Sequence, residues 1–161
     1  MLAGAGDLFE IESSKLLLSH AKAGSVQLSP LSVAYAEQMI RDHSRLTAKM
    51  QMALMRLAGP QSPLLQPQLT GTPFEGMMAR LSATPVERLE RVYLLQQLKA
   101  HRLALGLHSR FAVEGDNRVL RQLAMGATPV VQQHLNEVEQ LLGLESPNNA
   151  GLGVLMRLAQ M

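Results

Sequence analysis

The sequence predicts an all-α fold, built as two helical hairpins joined by a long connection. Three observations predict it. Apolar types make up 47% of the 161 residues but aromatics only 3%, so Leu, Ala and Met must fill the core, and these favour helix over strand. An apolar seam at alternating spacings of three and four runs from Val33 to Leu57. A stretch rich in Pro and Gly, residues 59–83, divides the helical pattern into two halves.

The first helix is expected from Leu8 to about Lys22, with Asp7 as N-cap and Glu10 in the capping-box position. Gly24 ends it, and a turn leads to Ser29. Ser29 suits an N-cap and Pro30 the first helical position, while Gly59-Pro60 stops the second helix. Its seam holds Val33, Ala36, Ile40, His43, Thr47, Met50, Leu54 and Leu57, so one member is a histidine. Residues 59–83 carry Pro60, Pro63, Pro67 and Pro73, with a short helical turn expected around Phe74–Leu81. Thr84-Pro85 opens a third long helix reaching about Glu114, and Gly115-Asp116-Asn117 makes the next turn. The last long helix covers roughly Arg118–Leu142 and is interrupted at Pro129, where Thr128-Pro129 restarts it after a kink. The helical domain is therefore expected over 7–143, followed by a loop and a short apolar tail over 144–161. Two hairpins with one crossover build a four-helix bundle, the ferritin-like type included.

Composition excludes several classes of function. Fifteen basic and thirteen acidic residues leave a net charge of +2, too small a surplus to imply a nucleic acid partner. With no cysteine there are no disulfides, thiolate metal sites or Cys nucleophiles. Apolar runs such as Leu16–Leu18 are too short to span a bilayer. Met1–Gly6 lacks the basic and apolar regions of a secretory signal, so the chain reads either as cytosolic or as a trimmed mature form.

The polar residues on the inner seams carry the chemistry. Residues equally far from a hairpin turn lie at the same height, at about 1.5 Å per residue. By that rule Glu10 and His43 stand side by side in the first hairpin, and His101 and His134 match within about a turn in the second. If the hairpins dock with their turns at the same end, all four share one layer. Glu137, one turn beyond His134, and Glu90, three turns before His101, are further candidates. A carboxylate and three imidazoles from four helices suit one divalent metal such as Zn²⁺, Fe²⁺, Mn²⁺ or Cu²⁺. The competing reading is a buried Glu–His hydrogen-bond network without metal. Ile40, Leu98 and Val131 stand three residues before His43, His101 and His134, so the Glu-x-x-His pairs of two-iron oxidases are missing. No general base or substrate pocket can be named, which leaves an enzyme as the weakest class. Asp42 points about 100° away from His43 and reads as a surface carboxylate near Arg45 or Lys49. His20 and His108 read as cations near helix C-termini. Met52 and Met55 read as core filler rather than a copper pair.

Phe9-Glu10-Ile11-Glu12-Ser13-Ser14-Lys15-Leu16 and Tyr35-Ala36-Glu37-Gln38-Met39-Ile40-Arg41-Asp42-His43-Ser44 resemble a bacterial ferritin-like family, domain of unknown function 4142. Leu89-Glu90-Arg91-Val92-Tyr93 with Lys99-Ala100-His101 is similar to its third segment, and Thr128-Pro129 through His134-Leu135 to its fourth. The resemblance spans about residues 7–142. It implies a four-helix bundle in the periplasm or envelope of Gram-negative bacteria, with no established reaction. The family's inward Glu and His positions correspond to Glu10, His43, His101 and His134. Where members commonly carry an acid directly before the third-helix histidine, this chain has Ala100, and its Leu89-Glu90 stands in place of a Phe-Asp pair. Two functional readings follow. One is a binding, sensing or stress-related domain holding one divalent metal, and the other an accessory subunit of an envelope complex without metal. Leu64, Leu65 and Leu69 in the crossover, with Leu152, Val154, Leu155, Leu158 and Met161 in the tail, are the expected surfaces for a protein partner or self-association.

Overall fold

Local sequence sets most helix boundaries in the computed structural model, which describes residues 2–144. Among the described residues there are five α-helices and no strand: α1 (Leu2–Lys22), α2 (Pro30–Ala58), α3 (Pro73–Ser82), α4 (Val86–Glu114) and α5 (Arg118–Leu141). The expected tail residues Leu152, Val154, Leu155, Leu158 and Met161 lie outside the described residues. Ser29 Oγ accepts the Ser32 amide and Pro30 follows at the first helical position, which starts α2 as expected. Asn117 Oδ1 accepts the Val119 and Leu120 amides and starts α5. Gly24 and Gly59 adopt positive φ where α1 and α2 end.

Two boundaries differ from expectation. α1 begins at Leu2 rather than Leu8, so Asp7 is a buried helix-interior residue and no N-cap, and Glu10 closes no capping box. Gly4 and Gly6 are poor helix formers. Packing overrides that propensity, because a Cβ at Gly4 would meet Pro67 Cβ at 3.1 Å, so the glycine lets α1 approach the crossover. Ala5 and Phe9 are buried beside it against Phe74 and Met77. The second difference is α5, which runs through Pro129 without a break. Pro129 and Met125 both sit on the exposed face, so the Met125 carbonyl that loses its helical donor can be solvated.

α1 packs on α2 and α4, and α5 packs on α4 and α2. Glu90 Oε1 accepts the Ser29 amide at 3.2 Å, placing the start of α4 beside the α1–α2 turn. The two hairpin turns therefore lie at opposite ends, not at the same end. The connection from α2 to α4 contains a 3-10 turn at Pro63–Leu65 and α3. α3 is docked by Phe74, whose ring stacks on Phe9 with centroids 5.4 Å apart, and by Gln96 Nε2 donating to the Met77 carbonyl.

Apolar burial is unevenly spread along the helices. The main core, including Leu17, Tyr35, Met39, Leu89, Tyr93 and Val138, fills the end near the α1–α2 turn. Going from that core along each long helix toward the α4–α5 turn, the next inward residues are polar: Glu10 and Asp7 on α1, His43 on α2, His101 on α4 and His134 on α5. The expected α2 seam holds inward as far as Leu54, whereas Leu57 is exposed, as are Met52 and Met55, which therefore fill no core.

Candidate metal centre

His43 is near the middle of α2, His101 near the middle of α4, and His134 faces both from α5. All three rings are buried, with centroids 5.4–5.5 Å apart in every pair. One potential ligand atom from each lies within 4.8 Å of those of the other two. The mid-helix positions explain why this layer forms although the hairpins dock the other way round. Inverting a 29-residue helix end for end barely moves its centre.

Each ring is tethered on its outer side. His43 Nδ1 lies 2.8 Å from Asp7 Oδ1, His134 Nε2 lies 3.1 Å from Asp42 Oδ2, and His101 Nδ1 lies 2.9 Å from the Gln97 carbonyl. Carboxylates and carbonyls only accept, so each of these ring nitrogens must donate, which fixes the tautomer of a neutral imidazole. The opposite nitrogens, His43 Nε2, His101 Nε2 and His134 Nδ1, have no hydrogen-bond partner although they are buried. These are bare lone pairs in a small space.

Protonation would turn such nitrogens into donors, and at His101 and His134 the surroundings oppose it. Burial, followed by the proximity of His43 and His134, holds the His101 imidazole well below the usual histidine range. Burial and His43 lower His134, against the pull of Asp42. Glu10 is also buried, and desolvation followed by Asp7 raises its carboxyl well above the usual range.

The sequence-predicted residues fall into three groups. His43, His101 and His134 converge. Glu10 and Glu137 border them: Glu10 Oε1 is 3.5 Å from His101 Nδ1, and Glu137 Oε1 accepts from Gln133, while Oε2 of both is buried without a partner. Glu10 thus pairs with His101 across α1–α4, while His43 pairs with Asp7, one turn earlier on α1. Glu90 is eleven residues before His101, about 16 Å along the helix, and is engaged with Ser29. Among the described residues, the cluster of mutually close ligand atoms comprises the three histidines.

Sequence reasoning missed the residues that orient the rings. Asp42, read as a surface carboxylate near Arg45 or Lys49, does reach Arg45 at 3.5 Å, but its other oxygen holds His134 on the neighbouring helix. Asp7 lies one turn before Glu10 on the same face, a signal hidden while the helix was expected to start after it. Thr47, one turn after His43, brings its hydroxyl to 3.4 Å from Asp7 Oδ2. His108 is half-buried, and desolvation lowers it, so it is no solvated helix-end cation. Ala100, directly before His101, is packed with Phe9 and Phe74.

The chain matches the family described as Domain of unknown function (DUF4142) over residues 1–141 and belongs to it. It matches no curated protein and no solved structure.

Proposed function

We propose that this member of the family is a ferritin-like four-helix bundle that binds one divalent transition metal on His43, His101 and His134. We read it as a binding or sensing domain of the bacterial periplasm or envelope, the setting the family resemblance implies. The packing of α1 and α2 against α4 and α5, with a long connection between hairpins, supports the bundle. The observation that carries the metal reading is the set of three buried histidines, each with one unpartnered ring nitrogen and each offering a ligand atom within 4.8 Å of those of the others.

A water molecule has two protons and cannot satisfy three acceptors. Left unpaired, each buried nitrogen costs about 1–3 kcal/mol. One cation satisfies all three together. An all-nitrogen donor set with no thiolate suits Zn²⁺, Cu²⁺, Ni²⁺, Co²⁺ or Fe²⁺. His43, His101 and His134 would hold such an ion through these nitrogens, with their rings oriented by the outer hydrogen bonds to Asp7, the Gln97 carbonyl and Asp42. Three protein nitrogens leave a fourth position, for which Glu10 and Glu137, each with an unpartnered buried oxygen, are the neighbouring carboxylates.

The reading is tested on full-length protein purified without affinity metals and titrated with Zn²⁺ and Co²⁺. One metal per chain is expected by elemental analysis, with a raised melting temperature, both lost in His43→Ala and His134→Ala. A chain that stays metal-free and melts at the same temperature with and without added metal would leave only the hydrogen-bond network of an accessory subunit.

A further inference from the structure

Beyond the histidine layer, toward the α4–α5 turn, the helices line a half-open cavity of about 490 Å³, within the size range of small-molecule sites. It exists because α5 places Ala124 and Ala127 on its buried face there, where larger side chains would close the gap. All four long helices contribute apolar walls, with Leu46 and Met50 from α2, Leu107 and Phe111 from α4, and Leu123 from α5. Its polar floor is Asp7, only 7% exposed, with His108 beside it, and the exposed Lys49 and Asp116 stand at the rim.

We propose that this cavity binds a small apolar alcohol or phenol, its hydrocarbon body against Leu46, Met50, Leu107 and Phe111 and its hydroxyl at Asp7 and His108. The head group follows from the floor. A carboxylate only accepts and has about four lone-pair sites. Asp7 commits one oxygen to His43 and offers the other to Thr47 at 3.4 Å, so capacity for a donor remains. An anionic head meets the Asp7 carboxylate with like charge. An ammonium head must shed a tightly held water shell on an apolar path, and the opposite charges of Lys49 and Asp116 at the rim give it no net help. A hydroxyl carries no charge, donates to Asp7 and accepts from the His108 N–H. The body follows from the walls, where aliphatic and aromatic carbon gains about 25 cal/mol for each Å² removed from water.

The cavity does not depend on metal, so the test uses full-length protein stripped with EDTA. Calorimetric titrations compare 1-octanol, octylamine and octanoate, three probes with one chain length and three head groups. One octanol site is expected, at least about tenfold tighter than either charged probe. Ala124→Leu, which fills the cavity, should abolish it, and His108→Phe, which keeps the apolar wall, should weaken it about tenfold. Far-UV circular dichroism confirms that each variant is folded, and should Ala124→Leu fail, the head-group comparison and His108→Phe decide. No octanol binding, or a charged probe binding as tightly, overturns the proposal.

Discussion

Asp7 and His43 meet across the α1–α2 interface, with Oδ1 and Nδ1 2.8 Å apart and both residues buried. The contact joins an acid near the start of one helix to the middle of the next and fixes which nitrogen of His43 faces inward. Thr47 steadies the second oxygen. Such outer partners of a ligating histidine orient the ring and raise its basicity.

The first prediction concerns that contact. In Asp7→Asn the side-chain carbonyl still accepts from His43, but the negative charge is gone. Metal affinity should drop by about 10–100-fold while helix content stays unchanged. Competition with a chelating dye measures it, and unaltered affinity would show that Asp7 serves packing alone.

The pH dependence of the metal-free protein has a definite sign. His101 and His134 are held neutral, so as pH falls below about 6.5 the unfolded chain takes up protons that the native state refuses, and stability falls. His108 adds in the same direction. Glu10 acts oppositely: its raised value means the unfolded chain sheds a proton above about 4.5 that the native state keeps, so stability falls as pH rises toward the folded value. Between 4.5 and 6.5 the histidines outnumber the single acid, and at higher pH Glu10 alone of these groups lowers stability for as long as its buried carboxyl keeps its proton. Stability should peak near pH 6.5 and decline on both sides, by on the order of 1 kcal/mol per pH unit. Urea titrations across pH 4–9 test this, and Glu10→Gln should flatten the alkaline side and steepen the rise between pH 4.5 and 6.5. A peak unmoved by that variant would refute the assignment.

What the sequence disclosed depended on the strength of local signals. Ser29-Pro30, Gly59 and Asn117 are capping residues whose chemistry acts within one turn, so the ends of α2 and the start of α5 were readable. The three histidines were readable because they occupy apolar seams at helical spacing. The start of α1 was not, since Gly4 and Gly6 argue against helix locally and only the tertiary contact with Pro67 favours it. Asp42 was misjudged for a related reason. An angle of 100° from His43 turns it from one neighbour, but in a helix with partners on two sides it turns it toward another, α5. The cavity was invisible, because Ala124 and Ala127 read as good core residues until the distances between helices are known.

Tyr93 offers a test of the main core apart from any metal. Its hydroxyl lies 2.8 Å from Ser14 Oγ, and both residues are wholly buried. Removing either partner strands the other, so Tyr93→Phe and Ser14→Ala should each cost about 1–3 kcal/mol. The double variant leaves no stranded group and should cost less than the sum of the two. Strict additivity in urea unfolding would mean that the two hydroxyls are not coupled.

Pro129 gives the last prediction. A proline inside a helix lacks the amide that would bond the carbonyl four residues earlier, here that of Met125, and its ring crowds that carbonyl. In a helix interior this disfavours proline by up to about 3 kcal/mol relative to alanine. α5 nevertheless continues through it, held by packing on both sides: Ala124 and Ala127 before it, Val131, His134 and Val138 after it. Thr128 spends its hydroxyl on the Ala124 carbonyl, one turn back. Since Pro129 is exposed and no core contact depends on its ring, Pro129→Ala should restore the amide bond at little loss of packing. A stabilisation of about 1–3 kcal/mol is expected in urea unfolding of the metal-free protein. Metal affinity should stay unchanged if α5 already holds His134 in its binding position, whereas a more stable variant with weakened metal binding would mean that the proline bends α5 to bring His134 inward.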